Sequence, residues 1–261
     1  MYPYVMILGR AVPTYGLCMA LAVVLVVGLS LRRVKGSGIV MEDVLIVGAS
    51  GLGIGLACAK GLYIVVTYSP SEIWRQLSSG DFTMFNEGGL IFYGGLIGGL
   101  LGAWLGVKLA KCSFAALEGV VVPFLPLGHA IGRIGCVMAG CCYGMPYEGI
   151  GALHYPHSLS GISPQQGYFP VQLVEAAGDV AICLLLLRRK PTPDRPGALL
   201  RTYVIAYAIL RFAVEFLRGD AIRGSAAGLS TSQWISLALL VVCVGHILYQ
   251  NRGASRSQSA Q

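Results

Sequence analysis

From Gly88 to Val107 the sequence reads GGLIFYGGLIGGLLGAWLGV, twenty residues without a charge. A helix rising 1.5 Å per residue covers about 30 Å in that length, the thickness of the hydrocarbon core of a bilayer. Apolar runs of similar length recur at residues 15–31, 44–68, 114–134, 171–187, 199–216 and 234–249. Composition agrees with them. The 261 residues are 55% apolar and 12% charged with a mean hydropathy of +0.69, whereas a soluble domain carries about 25% charged residues. No Gly-X-Y or heptad period organises the apolar blocks, which excludes collagen and coiled coil. The expectation is an all-α integral membrane protein of about seven transmembrane helices.

Basic residues give these helices a direction. Arg32, Arg33 and Lys35 follow the first run, Lys108 and Lys111 the third, Arg188, Arg189, Lys190 and Arg195 the fifth, and Arg252 and Arg256 the seventh. These alternate connections belong on the cytoplasmic side, so the N-terminus lies outside and the C-terminus in the cytoplasm. The connections at 69–87, 144–170 and 218–232 are then external. The +7 net charge reflects this asymmetry and makes no case for nucleic acid. The start, Met1-Tyr2-Pro3-Tyr4, has no basic region, and no small-residue cleavage pattern follows the first run, so a removable signal peptide is not expected. The expected layout is a single membrane domain over 1–251, an external loop or cap at about 144–170, and a short polar cytoplasmic tail at 252–261.

Gly94, Gly98, Gly102 and Gly106 stand four apart and mark a face where another helix backbone approaches closely. Ionisable residues at membrane depth cost several kcal/mol and point to function by default. Here they are Lys60, Glu118, Arg133, Glu175, Asp179 and Arg211 with Glu215. Arg211 and Glu215, four apart, can pair along one helix. Arg133 lies in Gly132-Arg133-Ile134-Gly135 with no acidic residue within a turn, and a planar fork so placed suits a lipid phosphate. The plainer alternative is an arginine snorkelling to the interface.

Of the eight cysteines, Cys18, Cys58, Cys112, Cys183 and Cys243 lie in or beside apolar runs and read as small hydrophobes. Cys136, Cys141 and Cys142 form C-x4-C-C, which lacks the paired C-x2-C spacing of common zinc sites. An oxidising external face favours a disulfide or a redox-active thiol there. His129 precedes Arg133 by four residues and Cys136 by seven, on one helix face if the helix is continuous. His154 and His157, in the external stretch, add ligands or are simply solvated.

The stretch 132–144, GRIGCVMAGCCYG, resembles the signature of the bacterial prolipoprotein diacylglyceryl transferases, seven-span enzymes of the inner membrane. Four further pieces fall in the same order. They are Tyr15-Gly16, the FYGGLIG at 92–98, the PVQLVEA at 170–176 and the RFAVEFLR at 211–218. The resemblance covers nearly the whole chain. It implies transfer of a diacylglyceryl group from phosphatidylglycerol, or a related anionic phospholipid, to the lipobox cysteine at a prolipoprotein signal peptide, with glycerol phosphate released. No cofactor or metal is implied. Cations must then stabilise the departing phosphate, and the acceptor thiol must lose a proton.

By the same resemblance Arg133 and Arg211 are the candidate catalytic arginines. Glu215, Tyr15, Gly132, Gly135, Gly144 and Gln172 join them in binding the lipid. The chain departs from the family pattern at three places: Tyr93 stands for a His, Cys136 for an Asn and Cys141 for a Glu. His129 and Tyr93 complete the candidate catalytic residues, the imidazole, whose ordinary pKa is about 6.5, as the replacement base and the phenol, ordinarily a poor base at neutral pH, in the place of the family's His. Two alternatives follow from those departures. One is a paralogue using another acceptor or a membrane thiol-redox centre; the other is a non-catalytic lipid-binding or transport protein.

Overall fold

The computed structural model describes residues 2–86, 88–189, 196–220 and 225–258, with backbone alone at 225–226 and 251–258. A hairpin of β1 (Tyr4–Ile7) and β2 (Arg10–Pro13) leads into α1 (Thr14–Arg33). Then come α2 (Met41–Thr67), the short α3 (Pro70–Ser79) and α4 (Thr83–Asn86), and α5 (Phe92–Ala110). The fourth run is α6 (Phe114–Val121), a 3₁₀ turn (Val122–Phe124) and α7 (Leu125–Ala139). The chain continues through α8 (Val171–Arg188), α9 (Ala198–Glu215), the hairpin β3 (Ser225–Ala226) with β4 (Leu229–Ser230), and α10 (Thr231–Gln258).

The architecture is that of an α-helical membrane protein. Five stretches are long and apolar enough to cross a bilayer: α1, α2, α5, α6 through α7, and residues 231–250 of α10. The other two long helices, α8 and α9, have 18 residues and three charges each. The fourth run differs from expectation in being broken and in running on to Ala139. Pro123 and Pro126 sit at the starts of the 3₁₀ turn and α7, where their missing N–H costs nothing. Of the residues in the basic connections, Lys190 and Arg195 lie outside the described residues, as do Glu87 and 221–224 of the external connections.

The hairpins were not anticipated. Each turns through two residues of positive φ, Leu8 (49°) with Gly9 (77°) and Ala227 (50°) with Gly228 (78°), the backbone of a type I′ turn.

The chain divides into two compact units, residues 30–117 and residues 1–29 with 118–261. In the first, α2 and α5 pack backbone to backbone. The stripe Gly94, Gly98, Gly102 and Gly106 is buried there, and Gly55 answers it from α2, where an added β-carbon would lie 3.2 Å from the Gly95 carbonyl oxygen. A β-carbon at Gly102 would overlap the Ser50 carbonyl oxygen and lie 2.9 Å from Gly51 Cα. Only parting the helices could relieve that. Gly102→Val is therefore expected to cost about 1–3 kcal/mol and lower the melting temperature in detergent. Gly53→Ala, with nothing within 4 Å, is expected to leave it unchanged or slightly raised. Equal melting of Gly102→Val and wild type would contradict the packing.

In the second unit α7, α8 and α9 pack together, and α10 lies on α9. Val122, Ile182, Leu186 and Leu199 form a buried cluster against which Leu125, Tyr203 and Tyr207 pack. Glu118 has a structural role here rather than a functional one. Its buried carboxylate accepts from the backbone N–H of Gly197 at 2.9 Å and of Leu200 at 3.4 Å, capping the N-terminus of α9 from a distant helix.

Candidate functional site

Each of the three packed helices carries polar residues at helical spacing. They are His129, Arg133 and Cys136 on α7, Gln172, Glu175 and Asp179 on α8, and Tyr203, Tyr207, Arg211 and Glu215 on α9. Because α7 is unbroken from Leu125 to Ala139, its three share a face. Glu175, wholly buried, is the centre of the arrangement. It lies 3.0 Å from Arg133 Nη2, accepts from the Tyr207 hydroxyl at 3.4 Å, and lies 3.9 Å from Arg218 Nη1. Arg133 therefore has a carboxylate after all, supplied across the helix interface rather than along its own helix.

Arg218, just past α9, donates through Nε and Nη2 to the two oxygens of Asp220 at 2.9 and 2.8 Å. Arg211 pairs with Glu215 one turn on and donates to Ser232 Oγ at 3.0 Å. Three guanidinium groups, those of Arg211 and Arg218 buried and that of Arg133 partly so, thus stand around a shared set of carboxylates, and the set does not satisfy itself. Arg211 Nη1 and Arg218 Nη1 are buried with no hydrogen-bond partner among the described residues, as are Glu175 Oε2 and both oxygens of Asp179. Donors so left can serve an anion that enters the site.

His129 is tied to the same network. Its Nδ1 and the Tyr203 hydroxyl are 2.9 Å apart, and its ring lies 4.8 Å from that of Tyr207. In the tautomer whose Nδ1–H donates to Tyr203, Nε2 is the nitrogen left to accept a proton. Tyr15 leans on α7 at Gly135, where a β-carbon would lie 3.1 Å from both Tyr15 Cδ2 and Cys18 Cβ. At Gly132 the nearest atom would be Met19 Sδ at 3.6 Å, ordinary contact. Tyr93 opens α5 in the unit 30–117, half-exposed and edge-on to Phe92.

Residues 140–170 wall the site on one side. Gln172, buried, donates from Nε2 to the Cys141 carbonyl at 2.9 Å and accepts from the Tyr155 hydroxyl at 3.2 Å. Its amide is thus spent on holding the wall. Gly144 pairs with Arg218 in an antiparallel bridge, and a β-carbon there would collide with the Phe169 carbonyl oxygen. That close approach brings the Arg218 guanidinium onto the Cys142 sulfur. The sulfurs of Cys136, Cys141 and Cys142 lie within 4.8 Å of one another. Exposed His154 and His157 do not join them, and His157 stacks on Tyr2.

Burial pushes the Tyr155 phenol, in this wall outside the helices, up to about 12. The folded state therefore holds that proton longer than the unfolded one, whose phenol titrates near 10. Stability contributed by the wall is present below about pH 10 and lost as pH rises toward 12. Wild type is expected to become sensitive to proteolysis within 140–170 across that window, and Tyr155→Phe to lose this pH dependence. An identical alkaline profile in both would contradict it.

In the sequence Glu175 and Asp179 read only as isolated charges, and Tyr203, Tyr207 and Arg218 do not read as members of the site. A signal was present, since Tyr203, Tyr207, Arg211 and Glu215 repeat every four residues.

Comparison with known proteins gives a match over residues 3–249 to a family described as prolipoprotein diacylglyceryl transferase. A phosphatidylglycerol–prolipoprotein diacylglyceryl transferase of Clostridium tetani (strain Massachusetts / E88) is 31% identical over 237 residues, 90% of this chain and 91% of its own. A second, numbered 2, from Clostridium perfringens (strain 13 / Type A) is 36% identical over 253 residues, 94% and 92% of the two chains. A third, from Cupriavidus pinatubonensis (strain JMP 134 / LMG 1197), is 31% identical over 225 residues, 83% and 76%.

Proposed function

The chain belongs to the prolipoprotein diacylglyceryl transferase family, and on that premise we propose that it moves the diacylglyceryl group of phosphatidylglycerol onto the lipobox cysteine of a prolipoprotein. Glycerol phosphate leaves. The observation that carries this reading is the set of three guanidinium groups, Arg133 on Glu175, Arg211 on Glu215 and Arg218 on Asp220, with buried donors to spare on Arg211 and Arg218.

The reaction displaces a phosphate at an sp3 carbon, so negative charge grows on the leaving oxygens as the C–O bond lengthens. Guanidinium N–H groups already fixed by carboxylates and a tyrosine stabilise that charge without reorganising. Arg133 and Arg211 take the headgroup, with Arg218 beside them. Glu175 and Glu215 hold the forks in place, and His129, through Tyr203 and Tyr207, positions Glu175. Gly132 and Gly135 let α1 pack closely on α7 and so set Tyr15 beside the headgroup, while Gly144 and Gln172 hold the wall of the site.

The same reading gives α8 and α9 as spans, their charges facing the site instead of lipid, for seven in all. The N-terminus is outside, the C-terminus cytoplasmic and the membrane the bacterial inner one, where the acceptor arrives behind its signal peptide. Residues 144–170 form the external cap of a single membrane domain, and 252–261 the cytoplasmic tail.

Expression in a strain depleted of its own transferase tests the proposal. The chain is expected to restore growth and lipid modification of a reporter lipoprotein. Accumulation in the membrane with the reporter left unmodified would contradict it.

A further inference from the structure

The cluster of Cys136, Cys141 and Cys142 has no part in the phosphate chemistry. Its sulfurs converge from two elements, Cys136 from the last turn of α7 and the other two from the segment beyond Gly140. That segment is held at several points. The Cys141 N–H donates to the Cys136 carbonyl at 3.1 Å, the Cys141 carbonyl accepts from Gln172, and Ser158 Oγ donates to the Gly140 carbonyl at 2.7 Å. None of the three is in a disulfide, Cys136 is buried and the other two are half-buried. Among the described residues no His, Asp or Glu completes the group.

Three sulfurs bound to one ion at about 2.3 Å stand roughly 3.8 Å apart, a small closure from what is observed. Soft thiolates exclude magnesium and calcium and select zinc-class ions. A zinc ion with three protein ligands keeps its fourth position for water or substrate. The cationic heads of Arg133 and Arg218 face these sulfurs and offset the negative charge of a trithiolate centre.

We propose that Cys136, Cys141 and Cys142 bind a zinc-class divalent ion whose open position takes the acceptor's cysteine thiol, an assignment that rests on the transferase reading above. On coordination the acceptor S–H proton passes to water at the half-exposed side, and a metal-bound thiolate remains. A sulfur lone pair then attacks the glycerol methylene. The C–S bond forms, the C–O bond to phosphorus breaks, and its electron pair leaves on the phosphate oxygen facing the guanidinium groups. The thioether product is the weaker ligand and departs. No side-chain base is needed and no oxidation state changes.

The test titrates the reduced, full-length protein in detergent with Co(II). One equivalent is expected to bind with thiolate-to-metal charge-transfer absorption of three-sulfur intensity, and Zn(II) to displace it. Cys136→Ser, Cys141→Ser and Cys142→Ser are each expected to weaken binding by about tenfold or more. A lipobox peptide should raise the absorption by one further thiolate, and its Cys→Ser analogue should not. No stoichiometric Co(II), or unchanged affinity in all three variants, overturns the site. A peptide that adds no thiolate absorption overturns the fourth position. Full transfer by metal-free protein overturns the inference and leaves the transferase reading intact. Metal and peptide thiolate bound without any transfer supports the site and removes that reading instead.

Discussion

Arg133→Lys is expected to lower transfer by roughly one to three orders of magnitude while the protein still accumulates and melts near wild type. Lysine keeps the positive charge and can still meet Glu175, which Arg133 contacts at 3.0 Å through one nitrogen. What it loses is the planar fork. With Nη2 on Glu175, the other guanidinium N–H groups of Arg133 can bind two phosphate oxygens at once, and an ammonium offers only a point charge. Removing such contacts from a desolvated charged group typically costs about 2–5 kcal/mol, and each 1.36 kcal/mol is tenfold in rate. The check is turnover of labelled phosphatidylglycerol at equal protein amounts. Wild-type turnover in the lysine variant would mean that Arg133 serves only as the ionic partner of Glu175.

Glu175→Ala is expected to fail at an earlier step, with little folded protein in the membrane. The carboxylate is wholly buried, faces Arg133 and Arg218, and accepts from Tyr207. Its removal leaves buried guanidinium charge uncompensated, at about 3–5 kcal/mol, a large part of the stability of any domain. Glu175→Gln keeps the shape and the acceptor for Tyr207 but not the charge, so it is expected to accumulate, melt lower than wild type and turn over slowly. Thermal unfolding in detergent beside accumulation separates the two. If the alanine variant accumulates and melts as wild type does, the carboxylate is not the keystone described.

How much of this was legible depended on whether the signal was local. The runs that became α1, α2, α5 and α10 could be read because twenty apolar residues have few other uses. Even α8 and α9, with three charges each, showed as runs because two of the charges in each share a face four apart and the third stands near a helix end. The break between α6 and α7 was not visible, since Pro123 and Pro126 look the same in a sequence whether they start a helix or interrupt one. The hairpins escaped because Leu8-Gly9 and Ala227-Gly228 lack the Asn-Gly signal that usually marks such turns.

In the site, the Arg211 and Glu215 pair lies along one helix and was readable. The pair of Arg133 with Glu175, and the capping of α9 by Glu118 from 79 residues before Gly197, join different helices and have no local pattern. The cysteines illustrate the same limit. C-x4-C-C resembles no common metal spacing, yet the left-handed turn at Gly140 (φ 68°) folds the chain back so that the three sulfurs meet.

The most direct measurement incubates the purified protein with diacyl-labelled phosphatidylglycerol and a lipobox peptide, and weighs the peptide afterwards by mass spectrometry. The account predicts a peptide heavier by one diacylglyceryl group on its cysteine sulfur, one glycerol phosphate released for each, and neither product from the Cys→Ser peptide. An unchanged peptide mass with lipid still bound would contradict it.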